Sequence, residues 1–310
     1  MTPIAQAIFD QFEVRKSKKQ KAAFRAWAGE LAAQCGYTAK EEKGSLGAVN
    51  LVMGDPETAK VVFTAHYDTC AVLPFPNFIT PKAPLIYILY QILITVVLMV
   101  PAFVVYFLLL PVVDPLLAYW VFLVLLWADI LLLIAGPANK HTANDNTSGT
   151  ITVLEIMQAM PAELREQAAF ILFDLEEAGL VGSASYTKMH KQHSDRQLVL
   201  NMDCVGDGNE IMLFPTKKLK ADTGKMEGLR GITGTWGEKS IAIREKGFAY
   251  YPSDQKHFPY GVGIAAFRRS KWAGLYCSRI HTKKDTILEE TNVNILRAAI
   301  ISMITCGAVK

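Results

Sequence analysis

The chain has 310 residues, of which 51% are hydrophobic and 20% are charged, and its formal net charge is +3. The apolar content excludes a disordered chain, five cysteines in this length exclude a small disulfide scaffold, and the low, mixed charge argues against nucleic acid binding. The mean hydropathy of +0.21 is high for a soluble protein, but the polarity of most of the chain excludes a polytopic transporter.

The N-terminal part of the chain has the apolar spacing of a helix over residues 4–35, and Gly36 is a typical helix stop. The first residues lack a continuous apolar stretch followed by a cleavage site, so we expect no secretory signal. The five cysteines form no CxxC pair and no zinc-finger spacing. We therefore expect reduced, buried thiols, which suit a protein that faces the cytosol.

The excess hydropathy lies in residues 83–139, which contain no Lys or Arg. Two apolar runs, residues 85–110 and 116–134, are each long enough to cross a bilayer core, which needs about 20 residues for about 30 Å. A turn with two prolines separates them. We predict an inserted transmembrane helical hairpin that contacts the lipid bilayer through residues 85–134; the alternative is a pair of buried core helices. The aromatic candidates for interfacial anchors are Tyr87, Tyr90, Tyr119, Trp120 and Trp127.

Basic residues flank the outer ends of this hairpin. Lys82 precedes the first apolar run and Lys140 follows the second, whereas the turn between the runs has none. The positive-inside rule then places both termini and the polar part of the chain in the cytoplasm, at the cell membrane. We predict one cytoplasmic domain over residues 1–82 and 140–310, with the hairpin over residues 83–139. The role of Asp129, within the second run, is left open.

Outside the hairpin, short β-rich apolar runs alternate with helical segments, which predicts an α/β fold. The predicted strands are residues 49–53, 61–65, 168–173, 197–202, 211–214, 264–267 and 275–277. The predicted helices are residues 151–160 and 292–306.

Acidic and histidine side chains follow several of these strands. Four groups come at predicted strand ends and one opens a helix, and since ligands of open α/β sheets bind beyond the carboxyl ends of strands, we expect the groups to converge. In chain order they are His66 with Asp68, Asp145, Glu176 with Glu177, Asp203, and His281.

Imidazole and carboxylate together favour Zn²⁺, with Mn²⁺ or Co²⁺ as alternatives. Five ligands are an economical number for two metals that share a bridging carboxylate, and two metals about 3.5–4 Å apart activate a water and polarise a carbonyl. A further acid outside the coordination sphere would take the proton of that water. The adjacent Glu176 and Glu177 are able to divide these two roles.

Five motifs in this order resemble those of the M28 family of zinc aminopeptidases, over residues 61–286 without the apolar segment. They are Thr64-Ala65-His66-Tyr67-Asp68, Ala143-Asn144-Asp145-Asn146-Thr147-Ser148-Gly149, Asp174-Leu175-Glu176-Glu177-Ala178-Gly179, Asn201-Met202-Asp203, and Ile280-His281-Thr282. The segment Tyr251-Pro252-Ser253-Asp254 is similar to the substrate side of that family. The resemblance implies a mixed, mostly parallel open sheet flanked by helices.

The resemblance also implies a role for each site residue. One zinc would take His66 and Asp203, the other Glu177 and His281, with Asp145 bridging the two. Glu176 would be the general base and Asp68 would orient His66. The implied metal ligands are thus His66, Asp145, Glu177, Asp203 and His281, and the implied catalytic residues are Glu176 and Asp68.

The expected activity is removal of N-terminal residues from peptides by a membrane-anchored dizinc enzyme. Alternatives are a carboxypeptidase or other amidohydrolase at the same site, or a membrane scaffold without catalysis. The expected partners are a peptide substrate, apolar or close to the membrane, and the bilayer itself. The oligomeric state stays open, with a homo-oligomer as one alternative. The sequence departs from the family between His66 and Asp145, which are 79 positions apart, whereas the family has a far shorter loop there.

Overall fold

A ten-stranded mixed sheet forms the centre of the computed structural model, which describes residues 1–247 and 249–307. The strands are β1 (Ala39–Lys43), β2 (Val49–Met53), β3 (Val61–His66), β4 (Ala168–Phe173), β5 (Leu198–Met202), β6 (Glu210–Pro215), β7 (Gly234–Trp236), β8 (Lys239–Ile243), β9 (Gly261–Ser270) and β10 (Gly274–Tyr276). The helices are α1 (Pro3–Gln11), α2 (Lys18–Gln34), α3 (Pro84–Leu109), α4 (Pro115–Ala135), α5 (Gly149–Ala159), α6 (Val181–Met189), α7 (Lys191–Ser194), α8 (Lys217–Lys220), α9 (Thr223–Arg230) and α10 (Glu290–Thr305).

The strand order is β1-β2-β4-β3-β5-β9-β6-β8-β7, and β10 pairs with β9 outside this path. The four central strands, β4, β3, β5 and β9, run parallel, so that their carboxyl ends lie along one edge of the sheet. Antiparallel pairs join β2 to β4 and β6 to β9 on the two sides. The prediction of a mixed α/β sheet flanked by helices is confirmed.

Both faces of the central strands are buried, as expected for parallel strands covered by helices. Alternate residues of β3 show this division, because Phe63 packs in the cluster beneath α1, α2, α5 and α10, whereas Val62 packs on the opposite face with Tyr186 of α6. The uninterrupted apolar runs of the sequence therefore follow from burial on two sides.

The N-terminal helix predicted over residues 4–35 is divided into α1 and α2. The chain leaves the helical conformation after Gln11, because the side chain of Arg15 turns into the protein interior, where it is fully buried. Ser17 then begins α2 with a capping box, in which its hydroxyl accepts from the backbone N–H of Gln20 and the Gln20 side chain accepts in return.

The apolar segment forms two long helices, α3 and α4, whose limits agree with the predicted runs to within one residue. Proline begins each helix, and the Asp114 carboxylate accepts the backbone N–H of Leu116 to cap α4. Only 6% of the most apolar window of each helix is buried, and the buried residues within them are Ala102 and Ala118. The alternative of two buried core helices is therefore wrong. Both helices are long and apolar enough to span a membrane.

Candidate metal centre

Three neighbouring strands bring acidic and histidine residues to one edge of the sheet. His66 is the last residue of β3, Glu176 and Glu177 follow β4, and Asp203 directly follows β5. Because β4, β3 and β5 are adjacent and parallel, these side chains meet beyond their carboxyl ends. The sequence pattern thus predicted the convergence correctly for these four residues.

Asp145 lies between the two histidines of the site. It belongs to an irregular helical turn, Ala143–Ser148, that leads into α5. Its Oδ1 atom lies 3.3 Å from Nε2 of His66, and its Oδ2 atom lies 3.1 Å from Nε2 of His281. One carboxylate therefore faces both imidazoles, one oxygen to each, which is the arrangement that a bridging ligand needs.

The other carboxylates complete two groups of ligand atoms around this centre. Nε2 of His66 lies 3.8 Å from Oδ1 of Asp203, and Nε2 of His281 lies 3.3 Å from Oε2 of Glu177. Two ligand atoms bound tetrahedrally at about 2.05 Å are about 3.3 Å apart; the His281–Glu177 separation matches this value, and the His66–Asp203 separation is longer. Oε1 of Glu177 is buried and has no hydrogen-bond partner among the described residues, and a cation at this position would satisfy it. The residues present therefore fit a divalent metal.

His281 does not directly follow a strand of the parallel set, although the sequence grouped it with the residues at strand ends. The strand β10 ends at Tyr276 and is antiparallel to β9, and the four residues that follow are irregular. His281 has a left-handed backbone with φ of 65°, and its carbonyl accepts the backbone N–H of Leu73, at the start of the segment before α3. The loop before the long helices therefore helps to place His281.

Asp68 touches both halves of the site. Its carboxylate accepts the backbone N–H groups of Glu176 (3.1 Å) and Glu177 (3.3 Å). The same carboxylate lies 3.5 Å from Nδ1 of His66, and the Asp68 carbonyl lies 3.2 Å from that nitrogen. The sequence suggested contact with His66 alone, and the bonds to the turn after β4 were not foreseen.

Two residues that the sequence patterns did not single out hold the loops of the centre. The Asp285 carboxylate accepts the backbone N–H groups of Asn144 (2.8 Å) and Asp145 (3.0 Å). The Arg15 guanidinium donates to the Tyr67 carbonyl (2.5 Å) and to the hydroxyl of Thr147 (3.0 Å). Asp285 lies four residues after His281, and this proximity is a signal that could have found it. Arg15 is distant in sequence from the other residues of the centre, and no pattern pointed to it.

The buried charges of the centre shift one another's pKa values. Burial by itself lowers the pKa of His281, but Glu177 and Asp145 outweigh it and raise that pKa to about 9. Burial likewise disfavours a charged His66, yet Glu176 and the other carboxylates raise its pKa well above the ordinary value. Burial raises the pKa of Glu177 to about 8 and that of Glu176 well above its usual range. Bound cations would favour the ionised carboxylates and neutral imidazoles that ligate metal.

Asp254 adds a further buried acid beside Glu176. Its Oδ1 atom accepts a 2.5 Å hydrogen bond from the hydroxyl of Ser183, and its Oδ2 atom has no partner within the part of the chain that the structure describes. Burial raises its pKa to about 7, and the charge of Asp203 acts in the same direction. It stands in the segment that resembles the family's substrate side.

The site opens into a cavity of about 250 Å³. Acidic and histidine side chains of the centre line one part of it, and other side chains, several of them apolar, form the remaining walls. The segment before α3 contributes Asn77 and Ile79 to these walls, and this segment is fixed to α3 because the hydroxyl of Tyr90 donates to the Pro76 carbonyl at 2.7 Å. The other apolar side chains of the walls are Leu180, Tyr251, Pro252 and Ile280.

Four of the five cysteines are buried and free, and Cys306 is exposed. Cys70 lies near Glu177 and His281, and Cys204 lies near Asp145 and Asp203. Burial raises the pKa values of both thiols well above the usual one. The expectation of buried, reduced thiols thus agrees with the structure for all but Cys306.

Comparisons with known proteins agree with this geometry. The sequence profile of peptidase family M28 matches residues 129–303, a range that contains Asp145, Glu176, Glu177, Asp203 and His281. A search of curated proteins finds no match.

Solved structures share the fold at low sequence identity. The LapA aminopeptidase of Legionella pneumophila is 14% identical, with a TM-score of 0.58 over 99% of this chain and 70% of that chain. The glutaminyl cyclase of Porphyromonas gingivalis is 13% identical, with a TM-score of 0.59 over 98% of each chain. A Zn-dependent exopeptidase from Parabacteroides distasonis ATCC 8503 is 14% identical, with a TM-score of 0.57 over 97% of each chain. Since the profile match spans more than half of the chain, this protein belongs to peptidase family M28.

Proposed function

We propose that the protein is a membrane-anchored dizinc aminopeptidase that removes N-terminal residues from peptides. The observation that carries this proposal is the position of Asp145, whose two oxygens face His66 and His281 at 3.3 and 3.1 Å. Family membership implies zinc, and a carboxylate shared between two imidazoles is the feature that favours two ions over one.

Each zinc would have two ligands of its own in addition to Asp145. His66 and Asp203 would hold one ion, and Glu177 and His281 the other. Zinc bound in this way supplies a Lewis acid that polarises the scissile carbonyl and makes a water more acidic. Mn²⁺ or Co²⁺ would suit the same donor set.

Glu176 would be the general base. Its carboxylate lines the cavity, and Oε2 lies 3.9 Å from Nε2 of His66. The group is therefore near the metal ligands, but farther from His66 than Asp145 is. It would take the proton of the attacking water and deliver it to the leaving amine. Asp68 would hold the backbone of Glu176 and Glu177 in place through the two hydrogen bonds of its carboxylate.

The size of the cavity supports the removal of single residues. A space of about 250 Å³ accepts one side chain, and its apolar walls favour an apolar first residue. We therefore propose apolar or membrane-proximal peptides as substrates.

The helices α3 and α4 would anchor this domain in the cell membrane, with the domain and both termini in the cytoplasm. Their exposed apolar surface supports lipid as the surroundings, since soluble proteins rarely expose contiguous apolar patches of this size. Lys82 precedes α3, and Nζ of Lys16 donates to the Ile134 carbonyl near the end of α4. These basic residues at the domain side support the orientation.

The test combines a variant with a peptide panel. Glu176→Gln should abolish hydrolysis while two zinc ions per chain remain, measured by metal analysis of the purified protein. The matched control is Glu163→Gln, on the exposed turn before β4, which should leave turnover unchanged. Near-normal turnover of the Glu176 variant would show that the assignment is wrong.

The peptides separate the alternative activities. Cleavage limited to free N-termini supports the aminopeptidase. Cleavage of N-acetylated peptides supports a carboxypeptidase or other amidohydrolase. Cyclisation of peptides that begin with glutamine, without hydrolysis, supports an activity like that named for the cyclase neighbours. If zinc is bound but no peptide reacts, the result supports the alternative of a membrane scaffold without catalysis.

Anchoring needs its own measurement. The full chain should stay in the membrane fraction after alkaline extraction, and replacement of residues 83–139 by a short linker should release it. Reporters at either terminus should read cytoplasmic.

A further inference from the structure

An exposed tryptophan stands at the tip of the hairpin formed by β9 and β10. Trp272 has 94% of its surface exposed, the largest exposure among the large hydrophobic side chains of the described residues. The turn is ordered by Ser270, whose hydroxyl accepts the backbone N–H of Ala273, and by Gly274, whose φ of 64° is left-handed. A single exposed apolar residue is common in soluble proteins, so its surroundings decide what it means.

The surroundings of Trp272 are basic. Arg268 and Arg279 both pair with Asp207, and Arg269 pairs with Glu210. We call this patch the basic hairpin surface. Its members are Lys82, Arg244, Arg268, Arg269, Lys271, Trp272 and Arg279.

Lys82 connects this patch to the long helices. Partial burial and the nearby charges of Arg244 and Arg269 lower the pKa of Lys82, which places these three cations close together. Apart from Arg244, five cations of this surface stand beside two carboxylates of the described residues, Asp207 and Glu210. An excess of positive charge of this kind complements the phosphates of anionic lipids.

The fold places the basic hairpin surface on the side from which α3 and α4 leave the domain. The strand β9 pairs with β5 as far as Ile264 and with β6 as far as Phe267, and its last three residues, 268–270, extend past both partners and pair with β10, a reach of about 10 Å. Lys82 lies two residues before Pro84, the first residue of α3.

Ring contacts join the base of this hairpin to α3. The centroid of the Phe78 ring lies 6.0 Å from the ring centroid of Tyr276 in β10 and 5.3 Å from that of Tyr90 in α3. The Tyr87 ring of α3 lies 5.9 Å from that of Tyr250. The base of the hairpin and the N-terminal end of α3 therefore pack together through these rings.

We propose that the basic hairpin surface binds the headgroups of an anionic bilayer, with Trp272 in the interfacial layer, as a third contact beside the two spanning helices. This inference rests on the membrane anchoring proposed above. Tryptophan is enriched at the level of the headgroups, where its ring is apolar and its N–H is polar. A third contact would stop the domain from pivoting on the helices and hold the carboxyl edge, with its cavity, close to the lipid.

The test measures depth with a nitroxide label in nanodiscs, by collision with oxygen, which is soluble in lipid, and with a water-soluble nickel chelate. The label is attached through Lys271→Cys, with Trp272 intact, in a chain in which Cys306, the exposed cysteine, is serine. Two reference labels are Glu163→Cys, at the opposite edge of the sheet, and Val96→Cys, on the exposed apolar surface of α3.

In discs rich in phosphatidylglycerol, the label at 271 should collide with the nickel chelate severalfold less than the label at 163, and adding Trp272→Ala should remove most of this protection. Discs of phosphatidylcholine should give weaker protection. Equal exposure of the labels at 271 and 163 in anionic discs, with the label at 96 in lipid, would overturn the inference and leave the anchoring intact. A label at 96 that reads aqueous would refute the anchoring, and the inference with it.

Discussion

The carboxylate of Asp68 offers a sharp test of how the centre is held. In Asp68→Asn, an amide NH₂ replaces one of the two oxygens that accept the backbone N–H groups of Glu176 and Glu177. One charge-assisted hydrogen bond is lost, and one buried N–H faces another donor. Together these changes should lower the unfolding free energy by about 2–4 kcal/mol. Because the backbone that carries Glu177 shifts, we expect zinc affinity and kcat/KM to fall about 10–100-fold.

The measurements are urea unfolding of the metal-free protein in detergent, zinc affinity by competition with a chelator, and peptide hydrolysis. The matched control is Asp55→Asn, since the Asp55 carboxylate also accepts a backbone N–H, that of Glu57 at 2.9 Å, but on an exposed turn. It should change none of the three quantities. If Asp68→Asn keeps normal zinc affinity and stability, the Asp68 carbonyl, 3.2 Å from Nδ1 of His66, positions the site and our reasoning about its carboxylate fails.

Two further predictions concern pH and the segment before α3. In the metal-free protein, folded His281, Glu177 and Asp254 have pKa values of about 9, 8 and 7, all above those of the unfolded chain. Between about pH 5 and 8 the folded state therefore binds more protons than the unfolded state, so that the unfolding free energy should fall as the pH rises. The measurement is chemical denaturation in the presence of a chelator. Constant or rising stability with pH would contradict this reasoning. Tyr90→Phe removes the hydrogen bond to the Pro76 carbonyl, worth about 1 kcal/mol, and loosens one wall of the cavity. KM for peptides with an apolar first residue should rise by about fivefold or less, with zinc content unchanged. The control Tyr119→Phe, which removes an exposed hydroxyl in α4, should leave KM unchanged. Equal KM values in the two variants would show that other contacts hold the wall.

The sequence predicted those parts of the fold that depend on local composition. The limits of α3 and α4 agree with the apolar runs, because length and hydropathy are properties of the chain itself. The central strands agree because burial on two faces leaves an uninterrupted apolar run. Helical spacing over residues 4–35 did not reveal the break after Gln11, since that break depends on a distant partner for Arg15.

The site shows the same division. His66, Glu176, Glu177 and Asp203 were predictable because each ends or follows a buried strand, and parallel neighbours share an edge. His281 follows β10 only after four irregular residues, and Asp285 and Arg15 act on backbone groups 140 and 52 residues away. Patterns of spacing do not record such bonds.

By its sequence alone, this chain determined an apolar hairpin inserted into an α/β protein with a histidine and carboxylate set for metal. Only the tertiary structure decided that Asp145 faces both imidazoles and that the Asp68 carboxylate accepts hydrogen bonds from the turn after β4. It also decided that the base of the hairpin formed by β9 and β10 packs near the N-terminal end of α3. The physical reason is that composition and periodicity fix which surfaces are buried, whereas the order of strands in the sheet fixes which side chains become neighbours.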